Sequence, residues 1–297
     1  MRLGDAGTGS DDRLDADLTA EAESGGSLAA VAWHALGVLA REPDAAVVAF
    51  RRAVAAHTDS PASGMALALS LAAAGQRDAA IERAREVLQS LERMQDPGEA
   101  NAETDLAAWD LPTYPWRFDD LRVEWERAAW LHTGQPAGEI AAKKALVRWR
   151  LHTLVAELTG GLAHYETAAA IRPDLPTARA ALGCALARAG RLADALPHLR
   201  QAVADQPFDV AAARALFQVL GDAGPADEQR VFVRERRLLA RIAPQVVRPE
   251  PWFATSEEGL ARPDPKSSCV ILGHAPRPGW GFRRTECHSV PRQERIS

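Results

Sequence analysis

The stretch Ala181–Pro207, ALGCALARAGRLADALPHLRQAVADQP, decides the fold of this chain. It contains one cysteine, one histidine and three arginines, so it is a candidate either for a reactive site or for a unit of packing. Its small and apolar residues favour packing, because they recur at the spacing that places side chains on one face of a helix. They form two groups, one on each side of Gly190: Leu182, Gly183 and Leu186, and then Ala195, Leu199 and Ala202.

These two groups predict a pair of antiparallel helices joined by a tight turn. Gly183 and Ala195 lack bulk at the point where the helices would cross, so that the two backbones can approach closely. Gly190 is placed to end the first helix in a left-handed turn. Pro207 would end the second helix, because proline donates no backbone hydrogen bond. The stretch is therefore predicted to be a helical hairpin.

The pattern of this hairpin recurs elsewhere in the chain. Ser60 followed by Pro61 predicts the start of an earlier unit, as the N-cap and first-turn residues of a helix. The repeat length is 34 residues, counted from Leu182 to Leu216, and this is the period of a tetratricopeptide repeat. The other matching positions are Phe217, Leu220 and Gly224 after the hairpin and, at an offset of 115 residues before it, Leu67, Ala68, Leu71, Gly75, Ala80, Ala84 and Val87.

The hairpin resembles a tetratricopeptide repeat, with Leu186 and Leu199 where that family usually has aromatic residues. The resemblance implies an all-α fold, an α-solenoid of stacked helical hairpins. Val31–Ala55 keeps the pattern with a shortened turn, and a second shortened hairpin covers residues 149–173. The resemblance extends over residues 27–242 and is interrupted by a centre that does not match it.

The composition agrees with an all-helical chain. The 297 residues include 60 alanines and only two tyrosines, so the core must consist of closely packed helices rather than of bulky side chains. The net charge of −5 arises entirely before Gly25, and the neutral remainder argues against a nucleic-acid or anionic-membrane surface. Leu28–Ala40 is apolar, but it follows an acidic stretch and is too short to span a bilayer. We expect it to be a buried helix of a cytoplasmic protein.

Five regions are predicted along the chain. Residues 1–26 are acidic and rich in glycine, serine and aspartate, and are expected to be disordered. Residues 27–95 and 139–243 should form the N-terminal and C-terminal repeat hairpins, with residues 96–138 as a tryptophan-rich insertion between them. Residues 244–297 hold eight of the nineteen prolines and are expected to be an irregular tail.

Groups that could carry chemistry are sparse. Cys184 and His198 fall on different helices of the hairpin and lack a third orienting group, so we expect no catalysis. His164 and Glu166 flank Tyr165 on a predicted helix and are interpreted as solvated positions. Four residues of the tail have side chains that can bind zinc, but at a spacing that matches no structural zinc site well: Cys269, His274, Cys287 and His288. No metal and no cofactor are therefore expected.

The tetratricopeptide resemblance implies a binding surface. In that family the first helices of successive hairpins line a concave groove that holds extended or helical peptide segments. Arg188 and Arg214 could bind a carboxylate through paired hydrogen bonds, although the lysine and asparagine of chaperone-type carboxylate clamps are absent. By register, the groove would comprise Thr177, Ala180, Cys184, Ala187 and Arg188 from one hairpin, and Ala211, Arg214, Gln218 and Asp222 from the next.

The centre of the chain has two interpretations. Residues 109–134 hold four of the eight tryptophans. Phe118, Leu121, Trp125 and Ala128 follow helical spacing, which favours packing of an atypical hairpin against its neighbours. The alternative is an aromatic docking surface, since tryptophan and tyrosine dominate binding hot spots. Its members would be Trp109, Trp116, Trp125 and Trp130.

Two functions therefore remain open from the sequence. The first is a non-catalytic scaffold that binds a protein or peptide segment in its groove. The second rests on another resemblance: the tryptophan-rich block, the hairpin and RLLARIAPQVVRPEPWF (residues 237–253) look like the helical region that precedes a family 2 glycosyltransferase module in some large bacterial proteins. In that case Ser267–Leu272 would be a remnant of the first strand of the catalytic domain, and the chain its non-catalytic portion. Neither function predicts the identity of a partner or an oligomeric state.

Overall fold

All regular structure in the described part of the chain is α-helical. The computed structural model describes residues 8–26, 28–57, 60–94, 109 and 119–243, and no strand occurs within those ranges. The prediction of an all-α fold is confirmed. In chain order the helices are α1 (Thr8–Glu23), α2 (Ala29–Leu39), α3 (Pro43–Ala56), α4 (Pro61–Ala73), α5 (Arg77–Arg93), α6 (Asp119–Leu131), α7 (Pro136–Thr159), α8 (Leu162–Ile171), α9 (Pro176–Arg188), α10 (Leu192–Asp205), α11 (Val210–Ala223) and α12 (Ala226–Ile242).

Consecutive helices pack against one another as hairpins. Each helix from α1 to α4 contacts the next one along the chain, and so does each helix from α6 to α11. α5 packs on α7, which links these two groups of hairpins. α9 and α11, the first helices of two successive hairpins, also contact each other. The described chain is therefore a row of helical hairpins, in agreement with a repeat-like fold.

The hairpin formed by α9 and α10 has the predicted crossing and turn. A Cβ atom built on Gly183 would lie 2.7 Å from Cγ of Leu199, whose side chain is fully buried. Gly190 follows α9 with a φ of +76°, in the left-handed region that favours glycine. The N–H of Arg191 then donates to the carbonyl of Leu186 at 2.9 Å, which closes a Schellman turn.

The hairpin formed by α4 and α5 repeats this turn. Gly75 has a φ of +76°, and the N–H of Gln76 donates to the carbonyl of Leu71 at 2.9 Å. Ser60 caps α4 as predicted, because its hydroxyl oxygen accepts a hydrogen bond from the N–H of Ser63 at 3.3 Å. The offset of 115 residues found in the sequence thus relates two hairpins that end their first helices in the same way.

The tryptophan-rich region shares its core with the repeat hairpins. One apolar cluster extends from α4 to the first turn of α9 and includes Trp109, Trp125 and Trp149. The region boundary predicted at residue 138 is wrong, because α7 begins at Pro136 and continues through it. Proline suits the first turn of a helix, where its missing N–H needs no partner.

The N-terminal region differs from the prediction. Residues 1–26 were expected to be disordered, yet α1 covers Thr8–Glu23 and packs on α2. The contact is made on the face where Leu18 is half-buried and Ala22 is buried. These residues are four positions apart and so share one helix face, although the acidic residues around them conceal the pattern.

The apolar stretch Leu28–Ala40 contains α2, as expected, but the helix is buried only in part, since Val31 and Leu39 are exposed. Its side chains at Ala29, Ala32, His34 and Val38 are buried against neighbouring helices. Among the described residues, no helix combines the length and the apolar character that crossing a membrane requires.

Replacing Gly183 by leucine tests the crossing of α9 and α10. We expect Gly183→Leu to lower the free energy of unfolding by about 1–3 kcal/mol, because the new side chain must displace Leu199 from a close-packed core. Urea unfolding followed by circular dichroism measures the change. Gly221→Leu is the matched control, since Gly221 is also helical but its nearest neighbour is the flexible end of Gln229. An unchanged midpoint for Gly183→Leu would contradict the predicted crossing.

Candidate functional site

The candidate site is the face formed by α9 and α11. Ala180 of α9 and Ala212 of α11 belong to one buried cluster together with Ala202 of α10. Alanines at this contact allow the two first helices to approach closely, which leaves little room between them. Only side chains that extend beyond this contact can therefore meet a partner.

The predicted groove residues divide into three groups by exposure. Ala180 and Cys184 are buried, so the prediction that they line an open groove is wrong. They lie one turn apart on the face that α9 turns toward α11, and close approach of the helices covers such short side chains. Exposed are Thr177, Arg188, Ala211 and Asp222, and half-buried are Ala187, Arg214 and Gln218.

Arg188 is the positioned cation of this face. Its guanidinium carbon lies 5.7 Å from the centre of the Tyr165 ring, and its Nη2 lies 3.5 Å from the Tyr165 hydroxyl. Its Nε donates to the carbonyl of Cys184 at 3.4 Å. Burial raises the pKa of the Tyr165 phenol, although Arg188 opposes the shift, so the ring stays neutral beside the cation. Arg188 forms no ion pair with a carboxylate of any described residue.

Arg188 and Arg214 lie at different levels along the face formed by α9 and α11. Ala180 packs near Ala212, which sets the level of Arg214 along the two helices. Arg188 lies eight residues beyond Ala180, a distance of about 12 Å along a helix. The two arginines would therefore contact different groups of a bound segment rather than share one carboxylate.

The thiol of Cys184 is unreactive in this position. Its side chain is buried, and burial raises the pKa of its thiol to about 12 while Arg188 acts weakly in the opposite direction. The thiolate, which is the nucleophilic form, is thus almost absent near neutral pH. His198 instead lines a shallow pocket of about 370 Å³ on the hairpin, with Leu182 and Leu186.

Two of the four candidate docking tryptophans lie in the core. Trp109 and Trp125 are buried with their ring centres 6.4 Å apart, so the prediction of an aromatic docking surface is wrong for both. Trp130 is 74% exposed. It lies five residues after Trp125 and so on another side of α6. Trp116 falls outside the described residues.

A buried ion pair accompanies these tryptophans. Nζ of Lys143 lies 2.6 Å from Oε1 of Glu139, one turn away on α7, and both side chains are almost completely buried. The same Nζ lies 5.3 Å from the centre of the Trp125 ring. Such a pair tolerates burial only when both charges are compensated, so it restricts how α6 can pack on α7.

A charged cluster that sequence reasoning missed joins α6 to the turn before α9. Nη2 of Arg172 lies 2.7 Å from Oε2 of Glu124 and 2.7 Å from Oδ2 of Asp174. Hydrogen bonding raises the pKa of Arg172, and the same contact holds the pKa of Asp174 below its usual value. Arg172 and Asp174 are neighbours in the chain, but nothing in the sequence indicates their distant partner on α6.

A histidine pair was also missed. Nδ1 of His152 on α7 lies 2.9 Å from Nδ1 of His164 on α8, and the ring centres are 5.2 Å apart. His164, interpreted from the sequence as solvated, is half-buried in this contact. Burial is the main cause that lowers the pKa of both rings, and nearby positive charge lowers it further.

Within the described ranges, no three or more histidine, cysteine, aspartate or glutamate side chains are grouped so as to hold a metal ion. The zinc candidates considered from the sequence lie in residues 244–297, outside the described part of the chain. Ser267–Leu272, which carries part of the glycosyltransferase resemblance, lies outside it too. No family model matches this chain, and no curated protein matches it.

Two tryptophans on α6 allow a direct test of which aromatic residues form the core. We expect Trp125→Ala to lower the free energy of unfolding by about 3–5 kcal/mol, because it leaves a large cavity. Trp130→Ala, the exposed counterpart on the same helix, should change it by no more than about 0.5 kcal/mol. Chemical unfolding measures both. Similar losses for the two variants would contradict the packing described for α6.

The state of Cys184 is tested by thiol labelling of a variant in which Cys269 and Cys287 are replaced by serine. At pH 8 we expect the native protein to react with a disulfide reagent at least about a hundredfold more slowly than the urea-unfolded protein, because burial disfavours the thiolate. A spectrophotometric time course gives both rates. Equal rates in the native and unfolded states would show an accessible, ionised thiol instead.

Proposed function

We propose that this protein is a non-catalytic scaffold that binds a protein segment on the face formed by α9 and α11. In this proposal the hairpins continue as an α-solenoid of the tetratricopeptide type. The observation that carries it is the state of Arg188, which Tyr165 and a backbone carbonyl hold in place without an ion pair to a described carboxylate. A guanidinium arranged in this way is a preformed binding group for a carboxylate.

The remaining side chains of the face suit a polypeptide. Ala187 and Ala211 are small and leave a surface of low relief, on which an extended or helical segment can lie. Gln218, half-buried on α11, offers both a donor and an acceptor for backbone groups. Asp222 at the end of α11 lies eight residues beyond Arg214 and, in the 34-residue repeat, at the position equivalent to Arg188, so a bound segment would meet both signs of charge at that end of the face.

Phage display of random peptides on the purified protein, followed by affinity measurement of the selected sequences, tests this proposal. We expect the selected peptides to contain aspartate or glutamate. Arg188→Glu should weaken their binding at least about tenfold, which is about 1.4 kcal/mol. Arg214→Glu should weaken it at a different position of the peptide, as alanine scanning of the peptide would reveal.

Arg230→Glu on α12 is the matched control for these charge reversals. Arg230 is exposed on another helix and pairs locally with Asp227, so its reversal changes the net charge by the same amount without touching the face. Circular dichroism should give equal helix content for all three variants. Peptides that bind every variant with the same affinity would remove the face of α9 and α11 from this proposal.

A further inference from the structure

The outer side of α12 carries an exposed apolar stripe. α12 is the last helix of the described row, and it packs on α11 and buries Val233. On the opposite side of the helix, Val231, Leu238 and Ile242 are each more than half exposed. They are seven and four residues apart and so share one face, on which Glu235 is also exposed. Because the terminal unit of a repeat array ordinarily has a polar outer face, this stripe indicates a docking surface.

A row of arginines borders this stripe. Its members follow one another at intervals of four, three and four residues, so they lie on one side of α12 next to the stripe. They are Arg230, Arg234, Arg237 and Arg241, each of them exposed or half-buried. Arg230 also pairs locally with Asp227 at 3.1 Å, and its side chain stays largely exposed in that contact. The outer side of α12 therefore suits a partner that combines apolar side chains with negative charge.

The other end of the described row has the complementary charge. α1 holds six acidic residues and one basic residue, Arg13. Leu14 is exposed among the acidic residues. The acidic residues whose side chains are described and exposed are Asp15, Asp17, Glu21 and Glu23.

Apolar side chains adjoin this acidic helix. α1 packs on α2, where Leu28, Val31 and Leu39 are exposed. These three residues are three and eight positions apart, so they share one side of α2. The end of the row formed by α1 and α2 thus offers negative charge beside apolar groups, which is the combination that the outer side of α12 requires.

We propose that copies of this chain associate head to tail, so that α12 of one copy lies against α1 and α2 of the next. The apolar stripe of α12 covers the exposed apolar side chains of α2, and the row of arginines faces the acidic side chains of α1. Because the two surfaces are different, each contact leaves one free end on either copy, and association continues beyond two copies. The contact uses no residue of the face formed by α9 and α11, so it is independent of the function proposed for that face.

Charge favours this pairing over a symmetric one. α12 has five arginines and three acidic residues, so two copies of α12 repel each other on balance. A second α12 also offers only two exposed carboxylates, Asp227 and Glu235, whereas α1 offers a helix side dominated by them. α1 against α12 instead brings opposite charges together. Since few helices take part, the contact area is small, and we expect association in the micromolar range.

Sedimentation velocity of the full chain tests the association. Between about 5 and 200 μM protein, we expect the weight-average sedimentation coefficient to rise continuously past the value of a dimer, as open-ended contacts require. Raising the sodium chloride concentration from about 50 to 300 mM should weaken the association, because the charged side chains that border the contact are exposed to solvent.

Leu238→Gln tests the apolar stripe. We expect this variant to associate at least about fivefold more weakly, because the contact loses its central apolar side chain. Val48→Gln is the matched control, since Val48 on α3 is likewise more than half exposed but lies on neither proposed surface. It should associate as the unchanged chain does.

Charge reversal at either end tests the pairing itself. One variant carries Asp17→Lys with Glu21→Lys on α1, and the other carries Arg234→Glu with Arg241→Glu on α12. Each variant alone should associate at least about tenfold more weakly, because both of its ends then have the same sign of charge. An equimolar mixture should regain the association, since each end of one variant meets the opposite charge on the other.

Arg77→Glu with Arg85→Glu is the matched control for these reversals. Both arginines are exposed on α5, so the double variant changes the net charge as the α12 variant does without altering either surface. It should associate as the unchanged chain does, and circular dichroism should give equal helix content for all variants.

Four results would overturn the proposal. The first is that the full chain sediments as a monomer over the whole concentration range. The second is that a control variant weakens the association as much as the variant it matches. The third is that reversal on α1 has no effect while reversal on α12 abolishes association, which would mean that α12 pairs with itself. The fourth is that the chain does not self-associate but binds vesicles containing phosphatidylserine through the α12 arginines, which would make α12 a membrane-binding surface.

Discussion

The close approach of paired helices at glycine is the constraint on which the rest of this structure depends. A Cβ atom built on Gly37, Gly64 or Gly183 would lie within 2.9 Å of a side-chain atom of the second helix of its hairpin. In the best-matching hairpin the partner is Leu199, a large apolar residue with no exposed surface. A chain with 60 alanines can build a core in this way, because short distances between backbones compensate for small side chains.

Close approach of helices also determines which side chains remain accessible at the surface. Between α9 and α11 they cover Ala180 and Cys184, which would be accessible if the helices stood further apart. A thiol buried there loses its reactivity, because desolvation disfavours the thiolate. Only longer side chains extend beyond the contact between the two helices. The side chain of Arg188 reaches Tyr165 on α8. Close packing therefore leaves a few long polar side chains as the main groups that this face presents to solvent.

Local signals in the sequence were sufficient where a single residue fixes a backbone conformation. Gly75 and Gly190 end helices in the left-handed region, and both turns follow from residue type and spacing. Local signals were insufficient where contacts between distant parts of the chain determine the structure. In the described part of α1 the apolar side consists of Leu18 and Ala22 alone. Two residues are too few to predict a helix against the acidic composition of the segment. His152 and His164 meet where α7 packs on α8, and no pattern in either helix predicts that contact.

The buried ion pair of Lys143 and the pair formed by His152 and His164 both lie where the repeat is broken. Hairpins that follow the 34-residue pattern bury small residues at their crossings, and their ion pairs, such as Arg179 with Asp205 and Arg200 with Glu228, are partly exposed to solvent. α7 has 24 residues and α8 only 10, so this hairpin cannot match its neighbours in length. α7 carries both the buried Lys143 that faces the tryptophans and the histidine that meets His164. The unequal lengths of α7 and α8 therefore accompany the contacts that the repeat pattern does not predict.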